Sequence, residues 1–379
     1  MKHYLNNAGA SLMSQATIDA MIGHLSLESQ VGGYQAAAER KSQIANFYEL
    51  AAKLVAAPSA SSIAFMDSAS RAWDMALYGL PIHEGEEIIT LSSEFGTNLV
   101  SLFHFASKTG AKIRVISCDN SGSFDMSELR DRLSAGARCV AISHAAAHGS
   151  IVNPVEEIGK LAAEHGALYL VDGCQAAGQM EIDVEMIGCD AYTVTGRKWL
   201  RGPRGTGFLY VRQGSSISPI FVDLASADLL FSENKAPIGV TIRDDARKFE
   251  LWERSIASVL GFENALGEYL ALDRVTAHAK MRAAATSIRQ SIAERDDLQL
   301  LGEVRSDSAI IGFYTLDIIK ENKLRRDFEA AGLQASTMND WDCPLHFPKN
   351  GAKNIFRLAP HYYTQDETID LAVETIRLL

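Results

Sequence analysis

The chain has 379 residues, of which 47% are hydrophobic and 22% charged, and its formal net charge is −11. This composition is ordinary for a globular protein with a sizeable core. The acidic balance, without a long run of Lys or Arg, argues against a nucleic-acid partner. We find no secretory signal and no apolar stretch of membrane-spanning length, and the five cysteines are scattered without a CxxC pair. We therefore expect a cytoplasmic protein with no membrane partner, disulfide framework or metal site.

The first half of the chain alternates short β-branched apolar runs with helical patterns, which is typical of an α/β protein with a mostly parallel sheet. The predicted strands span residues 62–66, 87–91, 112–117, 138–143, 167–172, 191–195 and 207–211. Later, two long helical stretches, 247–272 and 275–294, precede a strand at 309–316. We predict a large domain over residues 15–250 and a smaller α+β domain that combines residues 251–379 with the N-terminal arm, residues 1–14.

The segment from residue 167 to residue 211 carries the chemistry. One apolar strand ends on Asp172, and Gln175 follows three residues later. The next strand leads into Thr-Gly-Arg-Lys at residues 195–198 and then into a glycine-rich turn. A buried carboxylate needs a cationic partner. Because ligands of an open parallel sheet collect beyond the carboxyl ends of its strands, we expect Asp172 and Lys198 to face one crevice.

The pattern Asp-x-x-Gln, followed about two dozen residues later by Thr-x-Arg-Lys and Gly-Pro-x-Gly-x-Gly, resembles the class V aminotransferase family. The match extends from residues 4–9 to residues 357–363. This family includes cysteine desulfurases, ergothioneine C–S lyases and isopenicillin-N-epimerase-like proteins. The resemblance implies the aspartate-aminotransferase-like fold of PLP-dependent transferases, pyridoxal 5′-phosphate as the cofactor, and a homodimer with shared active sites in which residues 248–254 contact the partner.

The resemblance also implies how the cofactor is bound. Lys198 would hold the cofactor aldehyde as a Schiff base and move the substrate α-proton, while Asp172 would keep the pyridine nitrogen protonated. The remaining cofactor contacts, by family position, are Gln175 at the phenolic oxygen, Phe95 on the ring, and Ser68, Ala69, Ser70, Thr195 and Arg197 at the phosphate. The turn at residues 68–70 precedes a predicted helix, whose N-terminus favours an anion.

Four residues are assigned to the substrate. Arg357 matches the family arginine that binds the α-carboxylate as a bidentate clamp, and Asn7 and Ala8 would lie near the same carboxylate. His148 follows a strand end and is the candidate to face the substrate, whereas His144 is interpreted as structural. The family's asparagine near the substrate falls on Ala147.

Several positions depart from the cysteine desulfurase pattern. Phe95 and Arg197 each stand where desulfurases usually have a histidine. Trp341 occupies the place of the sulfur-accepting cysteine, Cys343 lies two residues further on, and Ser336 replaces the preceding arginine. We therefore interpret Cys343 as a buried thiol, and sulfur transfer as a persulfide is disfavoured.

The residues leave the reaction open. β-Elimination by a C–S lyase needs Lys198 as base and a sulfur leaving group at Cβ, and transamination needs the same lysine and a 2-oxo-acid acceptor. An isopenicillin-N-epimerase-like reaction needs a second base, for which only His148 is nearby, and a cysteine desulfurase would use Cys343. A non-catalytic PLP-binding module is the weakest hypothesis, because Lys198, Asp172 and Arg357 are all present. We expect an aminotransferase or a C–S lyase.

Overall fold

The computed structural model describes residues 3–348 and 350–379. In chain order the strands are β1 (His3–Tyr4), β2 (Ile63–Met66), β3 (Glu87–Leu91), β4 (Lys112–Ile116), β5 (Cys139–Ser143), β6 (Leu168–Asp172), β7 (Ala191–Thr195), β8 (Gly207–Val211), β9 (Ala227–Phe231), β10 (Pro237–Ile242), β11 (Gln299–Leu301), β12 (Ile311–Tyr314), β13 (Leu333–Gln334), β14 (Ser336–Met338) and β15 (Ile355–Leu358). The α-helices are α1 (Gln15–Val31), α2 (Gly33–Glu39), α3 (Lys41–Leu54), α4 (Ala69–Tyr78), α5 (Gly96–Thr109), α6 (Met126–Ser134), α7 (Val155–Glu164), α8 (Val184–Ile187), α9 (Ile256–Leu270), α10 (Arg274–Ala293), α11 (Ile318–Ala330) and α12 (Asp366–Arg377).

The larger sheet has seven strands in the order β2-β8-β7-β6-β5-β3-β4. It is mostly parallel, but β8 runs antiparallel to both of its neighbours, β2 and β7. All seven strands predicted in the first half of the chain belong to this sheet, each within one residue of its predicted ends. The predicted α/β fold class is therefore confirmed.

Helices cover both faces of this sheet, which explains the nearly continuous apolar runs of its strands. Side chains of a strand alternate between the faces. Along β5, Val140 and Ile142 point into a core shared with α3, α7 and α9, whereas Ala141 points into a second core shared with α4 and α5. The inner strands are buried on both sides, so only their ends can present polar groups to a ligand.

The second sheet is antiparallel, with four strands in the order β11-β12-β15-β14. It has its own core, in which Phe313 and Phe356 pack with Ile288 of α10 and Leu324 of α11. The N-terminal arm joins this core, since β1 pairs with β13 and Leu5 is buried there. The proposed domain boundaries at residues 15 and 250 stay predictions.

Backbone groups of the two sheet-bearing parts of the chain come into direct contact at one place. Ser150 donates its backbone N–H to the carbonyl of Leu301 at 3.0 Å. A Cβ added to Gly312 of β12 would lie 1.7 Å from the carbonyl oxygen of His148, so no side chain fits at that position. We call this contact of the two sheets the seam.

The helix predicted over residues 247–272 is wrong in its first third. Residues 250–254 are not helical, and α9 begins at Ile256 after Ser255 caps its first turn. Glu250 is drawn into the interior, where it accepts hydrogen bonds from the hydroxyl of Tyr48 at 2.8 Å and the backbone N–H of Phe65 at 2.7 Å. These tertiary contacts outweigh the helical propensity of the segment. Among the described residues, no helix combines the length and the apolar character needed to cross a bilayer.

Candidate active site

A cavity lies beyond the carboxyl ends of β5, β6 and β7, where ligands of α/β sheets bind. Its lining comprises Ser68, Ala69, Ser70, Phe95, Asn98, Ser143, Ala145, Ala147, Asp172, Cys174, Gln175, Thr195, Arg197 and Lys198. The nine residues predicted to bind the cofactor are all among them. The sequence interpretation did not assign the other five to the cofactor site, although Ser143 ends a predicted strand and Cys174 lies between Asp172 and Gln175.

Lys198 follows β7 and lies on the cavity wall with 9% of its surface exposed. No described residue forms a hydrogen bond with its Nζ atom. Burial lowers the pKa of Lys198 to about 8, although the neighbouring Cys174 and Asp172 act in the opposite direction. An amine with such a pKa is partly neutral at physiological pH and can attack an aldehyde.

Asp172 ends β6 and is held by three donors. Its Oδ1 accepts from the backbone N–H of Cys174 and the hydroxyl of Thr193, both at 2.9 Å, and its Oδ2 accepts from Nδ2 of Asn98 at 2.9 Å. The carboxylate is nearly buried and lines the cavity, yet it forms no ion pair with any described residue. Such a group stabilises a cationic ligand atom.

An anion site lies at the other end of the cavity. Ser68 caps the ten-residue helix α4, and its Oγ accepts the backbone N–H of Arg71 at 3.1 Å. The N-terminus of a helix attracts negative charge. Arg197 adds a guanidinium on the same cavity, anchored by a hydrogen bond to the carbonyl of Gly9. This arrangement suits a phosphate.

Gln175 connects the cavity with the N-terminal arm. Its Nε2 donates to the carbonyl of Ala8 at 3.1 Å, and its Oε1 accepts from the indole N–H of Trp199 at 3.0 Å. Both ends of the amide are thereby oriented, and Ala8 lies directly behind it. One hydrogen of Nε2 remains for a cavity ligand.

A lysine amine, an unpaired carboxylate and a phosphate-sized anion site therefore surround one cavity. These groups fit pyridoxal 5′-phosphate, which carries an aldehyde, a basic ring nitrogen and a phosphate. Lys198 would hold the aldehyde, Asp172 the ring nitrogen, and the α4 N-terminus with Arg197 the phosphate. Among the described residues, no group of His, Cys, Asp and Glu side chains is arranged to bind a metal ion.

Arg357 of β15 approaches the cavity from the second sheet. Its Nε donates to the hydroxyl of Ser336 and its Nη1 to the carbonyl of the lining residue Ala147, both at 3.1 Å. Burial lowers the pKa of Arg357 to about 10, so the guanidinium stays charged at neutral pH. Arg357 is not part of the cavity lining itself but is held directly behind it by the contact with Ala147. A charged group fixed in this way is suited to bind a carboxylate.

Asn7 and His148 are not brought to the cavity. Asn7 is buried, with Nδ2 donating to the carbonyl of Ala359 at 2.7 Å and Oδ1 accepting from Tyr363. His148 is fully buried, and its Nε2 lies 2.9 Å from Nδ1 of His346. Burial lowers the pKa of His148 to about 3, so it remains neutral. The geometry therefore offers no support for His148 as a substrate contact or as the second base of an epimerase.

Cys343 lies in a loop, residues 339–347, that packs beside the cavity. Its side chain is 0% exposed and clusters with Ala147, Tyr314 and Met338. Burial raises the pKa of the Cys343 thiol to about 12, so it is not a thiolate at neutral pH. The loop is tied down by Gly96, whose N–H donates to the carbonyl of Asp342 at 2.9 Å.

Gly173 is predicted to be intolerant of any side chain. A Cβ there would lie 2.0 Å from the ring of the buried Tyr192. Gly173→Ala should lower the free energy of unfolding by roughly 1–3 kcal/mol, the cost of overpacking a core, and this can be measured by denaturant titration. Gly267→Ala in α9 is the control, because its Cβ would meet only Leu50 at 3.8 Å. The control should be neutral or slightly stabilising, and equal stability of the two variants would contradict the packing argument.

Comparisons with known proteins give the family and the fold of the chain. The family model of Aminotransferase class-V matches residues 3–335. A probable cysteine desulfurase of Methanothermobacter thermautotrophicus is 26% identical over 325 residues, covering 84% of this chain and 79% of that protein. The solved structure of a cysteine desulfurase from Thermococcus onnurineus superimposes with a TM-score of 0.88 at 20% identity, covering 100% of this chain and 94% of the other. A cystine C–S lyase solved with its product cysteine persulfide gives a TM-score of 0.86 at 20% identity, covering 99% and 97%. These structures share the PLP-dependent transferase fold predicted from the sequence, and the chain belongs to the class V aminotransferase family of pyridoxal-phosphate-dependent enzymes.

Proposed function

We propose that the protein is a C–S lyase that removes a sulfur group from Cβ of an amino acid of the cysteine class. The observation that carries this proposal is the burial of Cys343 in a chain whose relatives include probable cysteine desulfurases. The relationship favours a sulfur-containing substrate. The buried thiol disfavours transfer of the sulfur to the protein, so the sulfur would leave directly.

The chain's own residues divide the work between binding and proton transfer. Arg357 binds the α-carboxylate of the substrate, and Lys198 binds the cofactor and then removes the α-proton as a base. Bound pyridoxal phosphate supplies a sink for the electrons of the broken Cα–H bond. Asp172 would hold the proton of the ring nitrogen, and the α4 N-terminus and Arg197 would hold the phosphate.

The overall reaction balances without an oxidant. A substituted cysteine and one water give a thiol, pyruvate and ammonia. The Cβ–S bond breaks with its electron pair on sulfur, which takes a proton. The nitrogen leaves as ammonia after hydrolysis, and no acceptor is consumed.

Cysteine desulfuration is the second candidate. It is favoured by the names of the relatives and by the cluster that Cys343 shares with Ala147 of the cavity wall. It would require the loop 339–347 to move and expose the thiol. Desulfuration yields alanine rather than pyruvate, so the products separate the two reactions.

The test is product analysis with L-cysteine, L-cystine and S-substituted cysteines, with and without a 2-oxo acid. We expect pyruvate and a thiol or persulfide in the absence of any acceptor, and the same rate within about twofold for Cys343→Ala because the buried thiol has no part in elimination. Alanine as the product, lost in Cys343→Ala, would establish desulfuration. Ketoacid formed only in the presence of the acceptor would establish an aminotransferase.

We further propose a homodimer with shared active sites. The support is the antiparallel ribbon of β9 and β10, which exposes many apolar side chains: Leu229, Leu230, Phe231, Ile238, Val240 and Ile242. Exposed apolar patches of this kind mark interaction surfaces. The exposed Phe221, which precedes the ribbon, lies 5.5 Å from the guanidinium of Arg71, next to the cavity residue Ser70. A partner bound there would adjoin the phosphate site. Sedimentation as a single 41.2 kDa species would contradict the dimer.

We also propose a cytoplasmic location. The support is that all five cysteines are free, which is typical of a reducing compartment. Cell fractionation tests the proposal, and recovery of the protein from an extracellular or periplasmic fraction would contradict it.

A further inference from the structure

A second carboxylate lies behind the cavity. Glu94 follows β3, is 1% exposed and is not part of the cavity lining. Its oxygens accept from the N–H of Phe95 and Nδ2 of Asn98, each at 2.9 Å, from the N–H of Ser143 at 2.6 Å, and from the Ser143 hydroxyl. No cation among the described residues pairs with it. Four donors orient the group, but no positive charge within residues 3–348 and 350–379 balances it.

Asn98 joins this carboxylate to the cavity. Its Nδ2 lies 2.9 Å from Oε1 of Glu94 and 2.9 Å from Oδ2 of Asp172. Both partners can only accept when ionised, so the two hydrogens of the amide are both used and its orientation is fixed. Glu94 therefore sets the position of Asn98, and Asn98 sets the position of the Asp172 carboxylate.

The arrangement places two negative charges next to each other. The charged group that faces Glu94 is Asp172 on β6, whereas α5 and β5 supply the neutral Asn98 and Ser143. Burial raises the pKa of Glu94 to about 7, and the charge of Asp172 acts in the same direction. A cation bound to Asp172 relieves this repulsion and favours ionised Glu94. Cation binding at the cavity and proton loss from Glu94 are thus linked.

We propose that Glu94 is a positioning residue that acts through Asn98: it fixes the Asp172 carboxylate and adds a second negative charge behind it, so that the cavity selects the cofactor with a protonated ring nitrogen. The proposal rests on the assignment of Asp172 to that nitrogen. It does not depend on which bond of the substrate is broken.

The test is a titration of the full-length chain with pyridoxal 5′-phosphate at pH 6 to 8.5, followed by absorbance. Glu94→Gln keeps the shape of the side chain and removes its charge, and we expect affinity to fall by roughly tenfold at pH 8. In the wild type, the affinity for the cofactor should itself fall as the pH drops through 7, because cofactor binding must then displace a proton from Glu94. The ratio of wild-type to variant affinity should shrink over that range, since the titration of the cofactor itself is common to both proteins.

Four further variants, one of them a double variant, separate positioning from general damage. Asp190→Asn removes another buried carboxylate, which accepts the N–H of Tyr169 at 2.9 Å at the opposite end of the sheet. It should be less stable yet keep the wild-type affinity and pH profile. Asn98→Ala removes the bridge and should reproduce the loss seen in Glu94→Gln. In the Asp172→Asn background, Glu94→Gln should cause little additional loss, because coupled residues are not additive.

Two results would overturn the proposal. One is a Glu94→Gln variant whose cofactor affinity and pH profile match those of the wild type. The other is a double variant, Asp172→Asn with Glu94→Gln, whose loss of cofactor affinity is the sum of the two single losses. That result would show that Glu94 does not act through Asp172. No amino acid is added in these titrations, so a wrong assignment of the lyase reaction would leave their outcome unchanged.

Discussion

Lys198→Ala is expected to abolish turnover and the absorbance of the covalently held cofactor. Lys198 is the one lysine that lines the cavity in the part of the chain that the structure describes. Without its amine, the cofactor aldehyde loses its nucleophile and the α-proton loses its base. The loss of a positioned base alone costs about 10²–10⁴-fold in rate, and the loss of attachment adds to it. The measurements are a visible spectrum with added pyridoxal 5′-phosphate and a rate assay with a substituted cysteine.

The control for this variant is Lys53→Ala. Lys53 lies exposed in the last turn of α3, far from the carboxyl ends of the strands. Its removal should leave both the spectrum and the rate unchanged. If Lys198→Ala kept the wild-type spectrum, the assignment of Lys198 would be wrong, whatever the rate.

Arg357→Ala is expected to raise KM for amino acids by roughly 30-fold, which corresponds to about 2 kcal/mol for a lost charge-assisted pair. The guanidinium is held by Ser336 and Ala147, so its geometry is set before the substrate arrives. The cofactor should still bind, because none of the groups that fit it lies on β15. Steady-state kinetics with the cofactor spectrum as a reference measure both effects.

Arg325→Ala provides the matched control. Arg325 lies over the ring of Phe356 at 5.2 Å, and Phe356 precedes Arg357 on the same strand and points to the other face of the sheet. Its removal costs a cation–π contact and should leave KM unchanged. An equal KM in Arg357→Ala and the wild type would eliminate Arg357 as the carboxylate clamp.

The sequence predicted best what depends on local patterns. The sequence places Asp172 and Lys198 in one crevice because Asp172 ends one apolar strand and Lys198 follows the next. The carboxyl ends of parallel strands meet at the same edge of a sheet. The seven strands of the larger sheet were predicted for the same reason, since buried strands form short apolar runs bounded by turns.

What the sequence could not predict depends on partners that are distant in the chain. His148 follows the end of β5 much as Lys198 follows the end of β7, yet the His148 ring contacts His346, almost two hundred residues later in the chain. Glu250 was placed in a helix because its contacts with Tyr48 and Phe65 have no local signal. The connection of Glu94 to Asp172 through Asn98 likewise has no signal in the sequence, because it joins residues of different elements.

The seam separates the groups that fit the cofactor from the arginine proposed to bind the substrate. All groups that fit the cofactor lie on the larger sheet or its adjoining turns, whereas Arg357 is carried by the smaller one, and only backbone atoms separate the sheets at Gly312. Cofactor binding, which gives the enzyme its absorbance, and substrate binding thus depend on different sheets. The two sheets must keep their relative position for the enzyme to act. A substitution that separates the sheets at the seam would leave a protein that binds the cofactor and absorbs visible light but has Arg357 displaced from the substrate. Cofactor absorbance alone therefore does not show that such a variant can still bind and convert its substrate.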